Sequence, residues 1–239
     1  MRRTTTTLVS TLAALGLLTA AVSAHGADAC CAKKADTSAK GESVALFNGE
    51  NLDGWKIHAT GDEVPDDLWT VKDGLLVTKG KPIGYIYTTD AYKDFKLVVE
   101  WRWPEGKKPD NSGVLLRIAG EPIGFMPRCV EAQLKHENAG DLYGFRGASI
   151  DGPEKRLKQI TGHAALGDFT GVKRIKTAEK PVGEWNRYVI TVKGKKIKLK
   201  INGEKVNEGW GLDEVAGPIG LQSEGSELHF RKVELTPLK

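Results

Sequence analysis

The chain has 239 residues, 40% hydrophobic and 28% charged, with 35 basic against 31 acidic side chains and a formal net charge of +4. Without Arg2 and Arg3 the net charge falls to about +2, and the remaining lysines are scattered, so no electrostatic footprint for nucleic acid is present. The length suits one domain with one hydrophobic core.

The first residues have the character of an export signal. Arg2 and Arg3 precede an apolar stretch over residues 8–22, and small residues follow at 22–24, which predicts a signal peptide over residues 1–24. The stretch is too short to predict a transmembrane segment. Cys30 offers a position for a lipid anchor, but its upstream residues suit lipidation poorly, so soluble export to the periplasm or the exterior is favoured. Residues 25–41 are polar and are predicted to form a flexible tether.

From residue 42 onward the chain consists of short β-type runs separated by Gly, Asp, Asn and Pro. Asp73-Gly74 and Asn202-Gly203 are turn pairs typical of hairpins. No window of eleven residues sustains a helical period. We therefore predict one all-β sandwich domain over residues 42–239. The main predicted strands are 69–71, 75–78, 95–103, 112–118, 129–135, 185–193, 196–201, 204–207, 218–222 and 228–235.

Side chains alternate between the two faces of a strand, so parity separates polar from apolar positions in three of these strands. The core-facing set is predicted to include Val114, Leu116, Ile118, Val130, Ala132 and Leu134. If the strands are neighbours in one sheet, the opposite face forms a single polar patch of Glu100, Arg102, Arg117, Glu131 and Gln133. Arg, Glu and Gln suit the recognition of hydroxyl and carboxylate groups, whereas the predicted solvent face at residues 196–200 is rich in lysine.

Cysteine and tryptophan positions complete the core prediction. Cys129 stands alone in a strand and is expected to be a small buried residue. Parity favours the core for five tryptophans, namely Trp55, Trp69, Trp101, Trp103 and Trp185. Trp210 lies between two glycines and lacks that parity, so both an exposed sugar-stacking surface and a packing role stay open.

Several sequence blocks occur together in a specific order. They are LFNGENLDGW at 46–55, WTVKDGLLV at 69–77, DNSGVLLR at 110–117, VEAQL at 130–134, GEWN at 183–186, GPIGLQ at 217–222 and HFR at 229–231. Together they resemble the 3-keto-disaccharide hydrolase family over about residues 45–238. The resemblance implies a concanavalin A-like jelly roll of two antiparallel sheets, one of them concave. It also implies cleavage of glycosides that are already oxidised to a ketone at C3.

Such a ketone acidifies the proton on C2, so the anomeric group can leave by elimination, and water then adds to the resulting enone. This chemistry requires a base near C2, a group that stabilises the enolate oxygen, and an acid for the leaving oxygen. Ordinary retaining hydrolysis uses two carboxyls. It is disfavoured because the Glu-x-Asp-x-x-Glu pattern of laminarinase-like jelly rolls is replaced by Glu131, Gln133 and His136.

The resemblance and the parity together favour Glu131 as the base. A carboxylate that merely pairs with Arg117 or Arg102 is the alternative, and His136 is a second candidate base. Arg117 and Asn111 are expected to hold the ketone or enolate oxygen, although Asn111 also suits a turn.

Further residues are assigned to substrate binding. Gln133 is expected to bind sugar hydroxyls, and Tyr143 is either an acid or a stacking platform. Gln222 and Glu224 lie in a turn where the family resemblance leads us to expect an Asp-His pair, and Glu224 is the carboxylate that remains. Glu100, Glu131 and Glu224 are a candidate ligand set for a divalent cation such as Ca²⁺.

Two other classes of function stay open from the sequence. A non-catalytic, lectin-like domain would hold polysaccharide with the same Arg, Gln and aromatic side chains in a shallow groove. An adhesion or envelope-structural domain would have its polar face covered by a partner. A perturbed carboxylate or imidazole inside a pocket would distinguish an enzyme from both.

Overall fold

The computed structural model describes residues 41–239, so the predicted signal peptide, almost all of the predicted tether and Cys30 lie outside the described residues. Sixteen strands and one 3₁₀ helix (Glu154–Arg156) make up the described part. The strands are β1 (Val44–Ala45), β2 (Trp55–Ala59), β3 (Trp69–Lys72), β4 (Leu75–Thr78), β5 (Gly84–Thr88), β6 (Phe95–Arg102), β7 (Gly113–Ile123), β8 (Met126–Gln133), β9 (Leu142–Phe145), β10 (Leu157–His163), β11 (Gly167–Val172), β12 (Asn186–Lys193), β13 (Lys196–Ile201), β14 (Glu204–Trp210), β15 (Gly220–Ser223) and β16 (Leu228–Pro237). No helix in this part of the chain is long and apolar enough to cross a membrane.

The strands form two antiparallel sheets of eight, as expected for a jelly-roll sandwich. The front sheet has the order β10-β11-β9-β8-β7-β15-β5-β2. The back sheet has the order β14-β13-β12-β6-β16-β4-β3, and β1 pairs with β16. The predicted fold class is confirmed.

The predicted turn pairs have the backbone that such hairpins require. Asp73 and Gly74 have φ angles of 53° and 73°, and Asn202 and Gly203 have φ angles of 52° and 87°. Two consecutive residues with positive φ match the right-handed twist of the strands that they join. The predicted hairpins β3–β4, β12–β13 and β13–β14 are all confirmed.

The main core lies between the sheets and is formed by alternate residues of both. Leu97, Val99 and Trp101 from β6 are fully buried, and Val114 and Ala132 face them from the front sheet. Cys129 is buried with a free thiol, as predicted. Lys196, Lys198 and Lys200 are exposed on the back sheet.

One of the five tryptophans predicted to be core residues is not one. Trp55, Trp69, Trp101 and Trp103 are buried, but Trp185 is only partly buried. Its ring lies between the guanidinium groups of Arg102 and Arg231, at 4.7 and 4.6 Å from the ring centroid. A cation–π arrangement of this kind holds an aromatic side chain on the polar face of a sheet.

A break in strand β7 overturns part of the parity prediction. Arg117 has a φ of 52°, and the register with β8 shifts between Leu116 and Ala119. The extra residue reverses the alternation that follows it. Ile118, predicted to face the main core with Leu116, therefore packs in a second cluster on the outer face of the front sheet.

Candidate functional site

The outer face of the front sheet carries a second, smaller apolar cluster. Its buried members are Tyr85, Leu115, Ile118, Met126, Cys129 and Phe145. A cavity of about 190 Å³, here called the Glu131 cavity, lies over it. Its lining combines this apolar floor with polar groups: Asn111, Phe125, Met126, Glu131, Gln133, Lys135, Tyr143, Phe145, Leu166, Phe169, Gln222 and Glu224. This face of the sheet is therefore a structured pocket rather than a plain solvated surface.

Glu131 occupies the centre of this face. It lies on β8, between Leu115 on β7 and Tyr143 on β9. Its carboxyl group extends over Gly113, so closely that a Cβ atom at Gly113 would be 2.0 Å from Oε1. Gly113 therefore leaves the space that the Glu131 carboxyl occupies.

The surroundings of Glu131 disfavour its ionised form. Its exposed fraction is 2%, and Oε1 has no hydrogen-bond partner among the described residues. Burial raises the pKa of this carboxyl well above its ordinary value, and the charge of Glu224 raises it further. Burial removes the water that would solvate a carboxylate, and a nearby negative charge repels it, so both effects penalise the ionised form of Glu131.

Glu224 is the second carboxyl of the cavity. It forms an isolated bridge with Asn111, and the Asn111 side chain acts to lower its pKa. Burial nevertheless raises the pKa of Glu224, and the charge of Asp110 adds to this, whereas Lys135 acts in the opposite direction. The cavity thus holds two carboxyl groups, both with raised pKa values.

Two neutral amides flank the carboxyls. Oε1 of Gln133 accepts hydrogen bonds from the backbone N–H groups of Leu134 and Lys135, at 2.9 and 2.8 Å, which fixes the orientation of the side chain. Gln222 is 1% exposed, and its Oε1 has no partner among the described residues. Both side chains line the cavity. A buried polar atom without a partner is costly, so it points to a ligand as its missing partner.

Aromatic side chains form one wall. Tyr143 and Phe145 stack with ring centroids 5.7 Å apart, and Phe169 contacts both rings. The Tyr143 hydroxyl lies 3.5 Å from Oδ2 of Asp141, and burial raises its pKa. Tyr143 and Phe169 also line a second cavity of about 380 Å³ next to the first.

Arg117 does not reach this cavity, contrary to the prediction that it would hold the ketone or enolate oxygen. Its guanidinium donates hydrogen bonds to the carbonyl oxygens of Lys93, Gly194 and Asp213 and pairs with Asp94 at 3.2 Å. The break in β7 turns the side chain away from Glu131. Arg117 is therefore a buried clamp between chain segments.

Glu100 and Arg102 are also separated from Glu131, because β6 belongs to the back sheet. Glu100 binds Arg187 and Arg231, and Arg102 lies against Trp185. The single polar patch expected from parity is thus wrong. Glu100, Glu131 and Glu224 do not converge as ligands of a cation, and residues 41–239 contain no cluster of three His, Cys, Asp or Glu side chains with metal-binding geometry.

Two further candidates lie outside the Glu131 cavity. Nδ1 of His136 is 3.2 Å from Oε1 of Glu179, and His136 does not contribute to the lining. Trp210 is 41% exposed and donates from Nε1 to Asp151 at 3.1 Å. The structure therefore brings together Asn111, Glu131, Gln133, Tyr143, Gln222 and Glu224, and leaves His136 and Trp210 elsewhere.

Sequence reasoning found only part of the apolar walls of the cavity: the Gly- and aromatic-rich segment over residues 141–146 was expected to wall a groove, but the other wall residues were missed. Phe145 and Phe169 come from β9 and β11, and residues 141–146 had the character of a loop rather than a strand. Parity along these strands would have placed Tyr143 and Phe145 on one face. Phe125, Met126 and Leu166 come from loops or strand ends and gave no periodic signal.

Solved structures with this fold include several proteins that act on carbohydrate or bind it. A candidate glycosyl hydrolase from Parabacteroides distasonis matches with a TM-score of 0.57 and 21% identity, covering 82% of this chain and 94% of that chain. The carbohydrate-binding module CBM66 from Bacillus subtilis has a TM-score of 0.52 and 12% identity, covering 76% and 94%. The laminarinase from Rhodothermus marinus has a TM-score of 0.52 and 10% identity, covering 82% and 96%. At these identities the likeness shows the jelly-roll fold.

The family is established by sequence. No curated protein matches the chain significantly. The model of the 3-keto-alpha-glucoside-1,2-lyase-like domain matches residues 42–236, which include every strand that lines the Glu131 cavity. The chain therefore belongs to the 3-keto-alpha-glucoside-1,2-lyase-like, or 3-keto-disaccharide hydrolase, family.

Proposed function

We propose that this protein cleaves 3-keto-glycosides by elimination across C1 and C2, with Glu131 as the base. The observation that carries the proposal is the state of Glu131: a carboxyl that is 2% exposed, has an unpartnered Oε1 and has a raised pKa, inside a cavity of about 190 Å³. A perturbed titratable group in a cleft is characteristic of a catalytic site. The family, whose name refers to a 1,2-lyase acting on 3-keto-α-glucosides, supports the same reaction.

In the first step the ionised Glu131 removes the proton from C2, and the electron pair moves toward the C3 ketone to form an enolate. The enolate then collapses: a double bond forms between C1 and C2, the bond between C1 and the glycosidic oxygen breaks, and that oxygen takes up a proton. Addition of water across the double bond releases the 3-keto sugar and gives the net result of hydrolysis.

The raised pKa of Glu131 increases its strength as a base. A carboxylate with a higher pKa is a stronger base, and a base is most effective when its pKa lies near the working pH. Burial and the charge of Glu224 both act in this direction.

Neutral amides take the place of arginine at the enolate oxygen. The side chains of Gln133 and Gln222 lie in the cavity lining, and the bonds from Leu134 and Lys135 to Oε1 fix Gln133 in place, so their amide N–H groups are the donors that we assign to this oxygen. Pre-oriented donors stabilise developing negative charge without reorganisation, and removal of one such donor typically costs about 100- to 1,000-fold in rate.

Tyr143 is the acid that we assign to the leaving oxygen. Tyr143 lines both the Glu131 cavity and the adjoining cavity, so its ring lies where a bond between two sugar rings would be placed. A phenol with a raised pKa keeps its proton until an alkoxide develops beside it.

The presence of Glu131 and Glu224 in one cavity favours a second candidate, ordinary glycoside hydrolysis by a carboxyl pair. The two reactions differ in their need for the ketone. An elimination requires an acidic C2 proton, whereas a carboxyl pair would cleave the unoxidised parent.

The test is to compare a 3-keto-glucoside with its unoxidised parent, using the wild type, Glu131→Gln and the exposed control Glu154→Gln, each with and without a chelator. We expect cleavage of the keto substrate alone, a loss of about 100-fold or more in Glu131→Gln, and wild-type activity in Glu154→Gln. Cleavage of the parent would favour the carboxyl pair. Sugar binding without turnover of either compound would overturn the proposal and leave a lectin-like domain.

We also propose that the protein works outside the cytoplasm, because residues 1–24 have the pattern of a signal peptide. Cell fractionation and the N-terminal sequence of the mature chain test this. Recovery of the chain with residues 1–24 intact in the cytoplasm would contradict it.

A further inference from the structure

A second cavity adjoins the Glu131 cavity along the same face of the front sheet. It measures about 380 Å³, and Tyr143 and Phe169 belong to the linings of both cavities. The rest of its lining comes from β9–β11 and neighbouring loops: Asn138, Asp141, Lys158, Ile160, Gly171, Val172 and Lys173. The two cavities are thus compartments of one groove with an aromatic boundary, which suits a substrate of two linked units.

Among the described residues, the only carboxylate that lines this second cavity is already paired with an arginine. Asp141 is buried, and its oxygens lie 3.1 and 3.3 Å from Nη1 of Arg174. Oδ1 also accepts a hydrogen bond of 2.7 Å from the backbone N–H of Arg174. Asp141 therefore contributes little net negative charge to the cavity.

Two lysines remain without such compensation. Lys158 is the cross-strand partner of Gly171, and Lys173 follows two residues after Gly171, so both lie on the cavity face of the sheet. Within residues 41–239 neither lysine forms an ion pair. Gly171 has no side chain, and the ring of Tyr143 packs against it: a Cβ atom at Gly171 would be 2.9 Å from Cε1 of Tyr143.

The two compartments therefore differ in charge. The Glu131 cavity is lined by two carboxyl groups, Glu131 and Glu224, and by one lysine, Lys135. The second cavity is lined by Lys158 and Lys173, and its described lining contains no unpaired carboxylate. An anionic group would be repelled from the first compartment and attracted to the second. This difference orients a substrate that is neutral at its keto sugar and anionic at its leaving group.

We propose that the second cavity binds a carboxylate, sulfate or phosphate group on the leaving unit of the substrate, with Lys158 and Lys173 as its cationic contacts. The inference rests on the proposed function, because it names the substrate class of the same site. The aromatic boundary at Tyr143 and Phe169 would contact the sugar ring, and the lysines would contact its anionic substituent.

The first experiment compares kcat/KM for 3-keto-glucosides whose leaving units are glucose, glucuronate, glucose 6-sulfate and glucose 6-phosphate. We expect at least one anionic leaving unit to exceed glucose by about fivefold at low salt, with the ratio falling as salt screens the charges. The rank of the three anions identifies the group. Lys158→Met and Lys173→Met should each reduce the ratio toward one, whereas Lys200→Met, an exposed lysine of the back sheet, should retain it.

The second experiment separates this inference from the proposed reaction. Calorimetric titration of Glu131→Gln with free glucuronate, glucose 6-sulfate, glucose 6-phosphate and glucose measures binding without turnover. Lysine-dependent binding of an anion supports the second cavity even if no substrate is cleaved. Cleavage of all substrates at equal rates, together with no preference for the anions in the titration, would overturn the inference while leaving the proposed function intact.

Discussion

The carboxyl group of Glu131 lies over Gly113 on the neighbouring strand, and a Cβ atom at Gly113 would be only 2.0 Å from Oε1. Gly113 is paired with Gln133, two residues beyond Glu131 on β8, so both residues belong to the same regular stretch of the β7–β8 ladder. The position of the proposed base therefore depends on the missing side chain of its neighbour.

We predict that Gly113→Ala displaces the Glu131 carboxyl and reduces 3-keto-glucoside cleavage by about 100-fold, because a misplacement of about 1 Å has effects of this size. Gly113 does not have a positive φ, so the backbone tolerates alanine and the variant should fold. Steady-state kinetics and circular dichroism measure the two effects.

A double variant provides the control for Gly113. If alanine acts through the carboxyl, Gly113→Ala should have no further effect on the residual activity of Glu131→Gln. Additive losses in the double variant, or full activity in Gly113→Ala alone, would contradict this explanation.

Glu131→Gln should stabilise the fold at neutral and alkaline pH while it removes activity. Because the folded-state pKa of Glu131 is raised, the native protein keeps a proton that the unfolded chain has already lost, so stability falls as pH rises through that range. Because a neutral amide avoids the cost of a buried negative charge, Glu131→Gln is expected to increase the free energy of unfolding by roughly 1–3 kcal/mol.

Thermal or denaturant unfolding of both proteins at pH 8 and pH 4 measures this effect. The difference should be largest at pH 8 and should disappear near the unfolded pKa of about 4.3. A wild type that is more stable than Glu131→Gln at pH 8 would show that the carboxyl is not destabilising in the fold.

Glu224→Gln should move the acidic limb of the kcat/KM profile to lower pH. Glu224 raises the pKa of Glu131, so removal of its charge lowers that pKa and allows the base to ionise at lower pH. The control is Glu227→Gln, an acidic residue nearby that binds Lys107 and His229 and does not line the cavity. An unchanged limb, or a shift to higher pH, would refute the coupling.

Arg117→Met should destabilise the protein by about 3 kcal/mol, because it leaves Asp94 and buried carbonyl oxygens without their partner. The folded fraction should retain the kcat of the wild type, since Arg117 does not line the Glu131 cavity. Denaturant unfolding and kinetics at low temperature measure both quantities. A large loss of kcat with unchanged stability would place Arg117 in catalysis after all.

The sequence was sufficient for those features that depend on local patterns. The Asp73-Gly74 turn, the alternation in β8 and the all-β sandwich class follow from turn chemistry and strand parity, whereas the jelly roll was implied by the family resemblance. Glu131 and Gln133 share a face with the cavity because β8 is regular between them.

The errors have two physical causes. Parity assigns a residue to a face of its strand but does not say which sheet the strand joins, so Glu100 and Arg102 were grouped with Glu131 although β6 lies in the back sheet. Parity also fails beyond a bulge, as at Arg117, where one residue with positive φ reverses the alternation. Neither feature has a strong signature in a single sequence.

The most direct test of the central claim is solvent deuterium at C2 of the released sugar. Elimination with Glu131 as base, followed by addition of water, predicts one deuterium at C2 when a 3-keto-glucoside is cleaved in D₂O, and a primary isotope effect when the substrate carries deuterium at C2. Incubation of the product in D₂O without protein corrects for spontaneous exchange. Cleavage that retains the original C2 hydrogen, without an isotope effect, would contradict proton abstraction at C2.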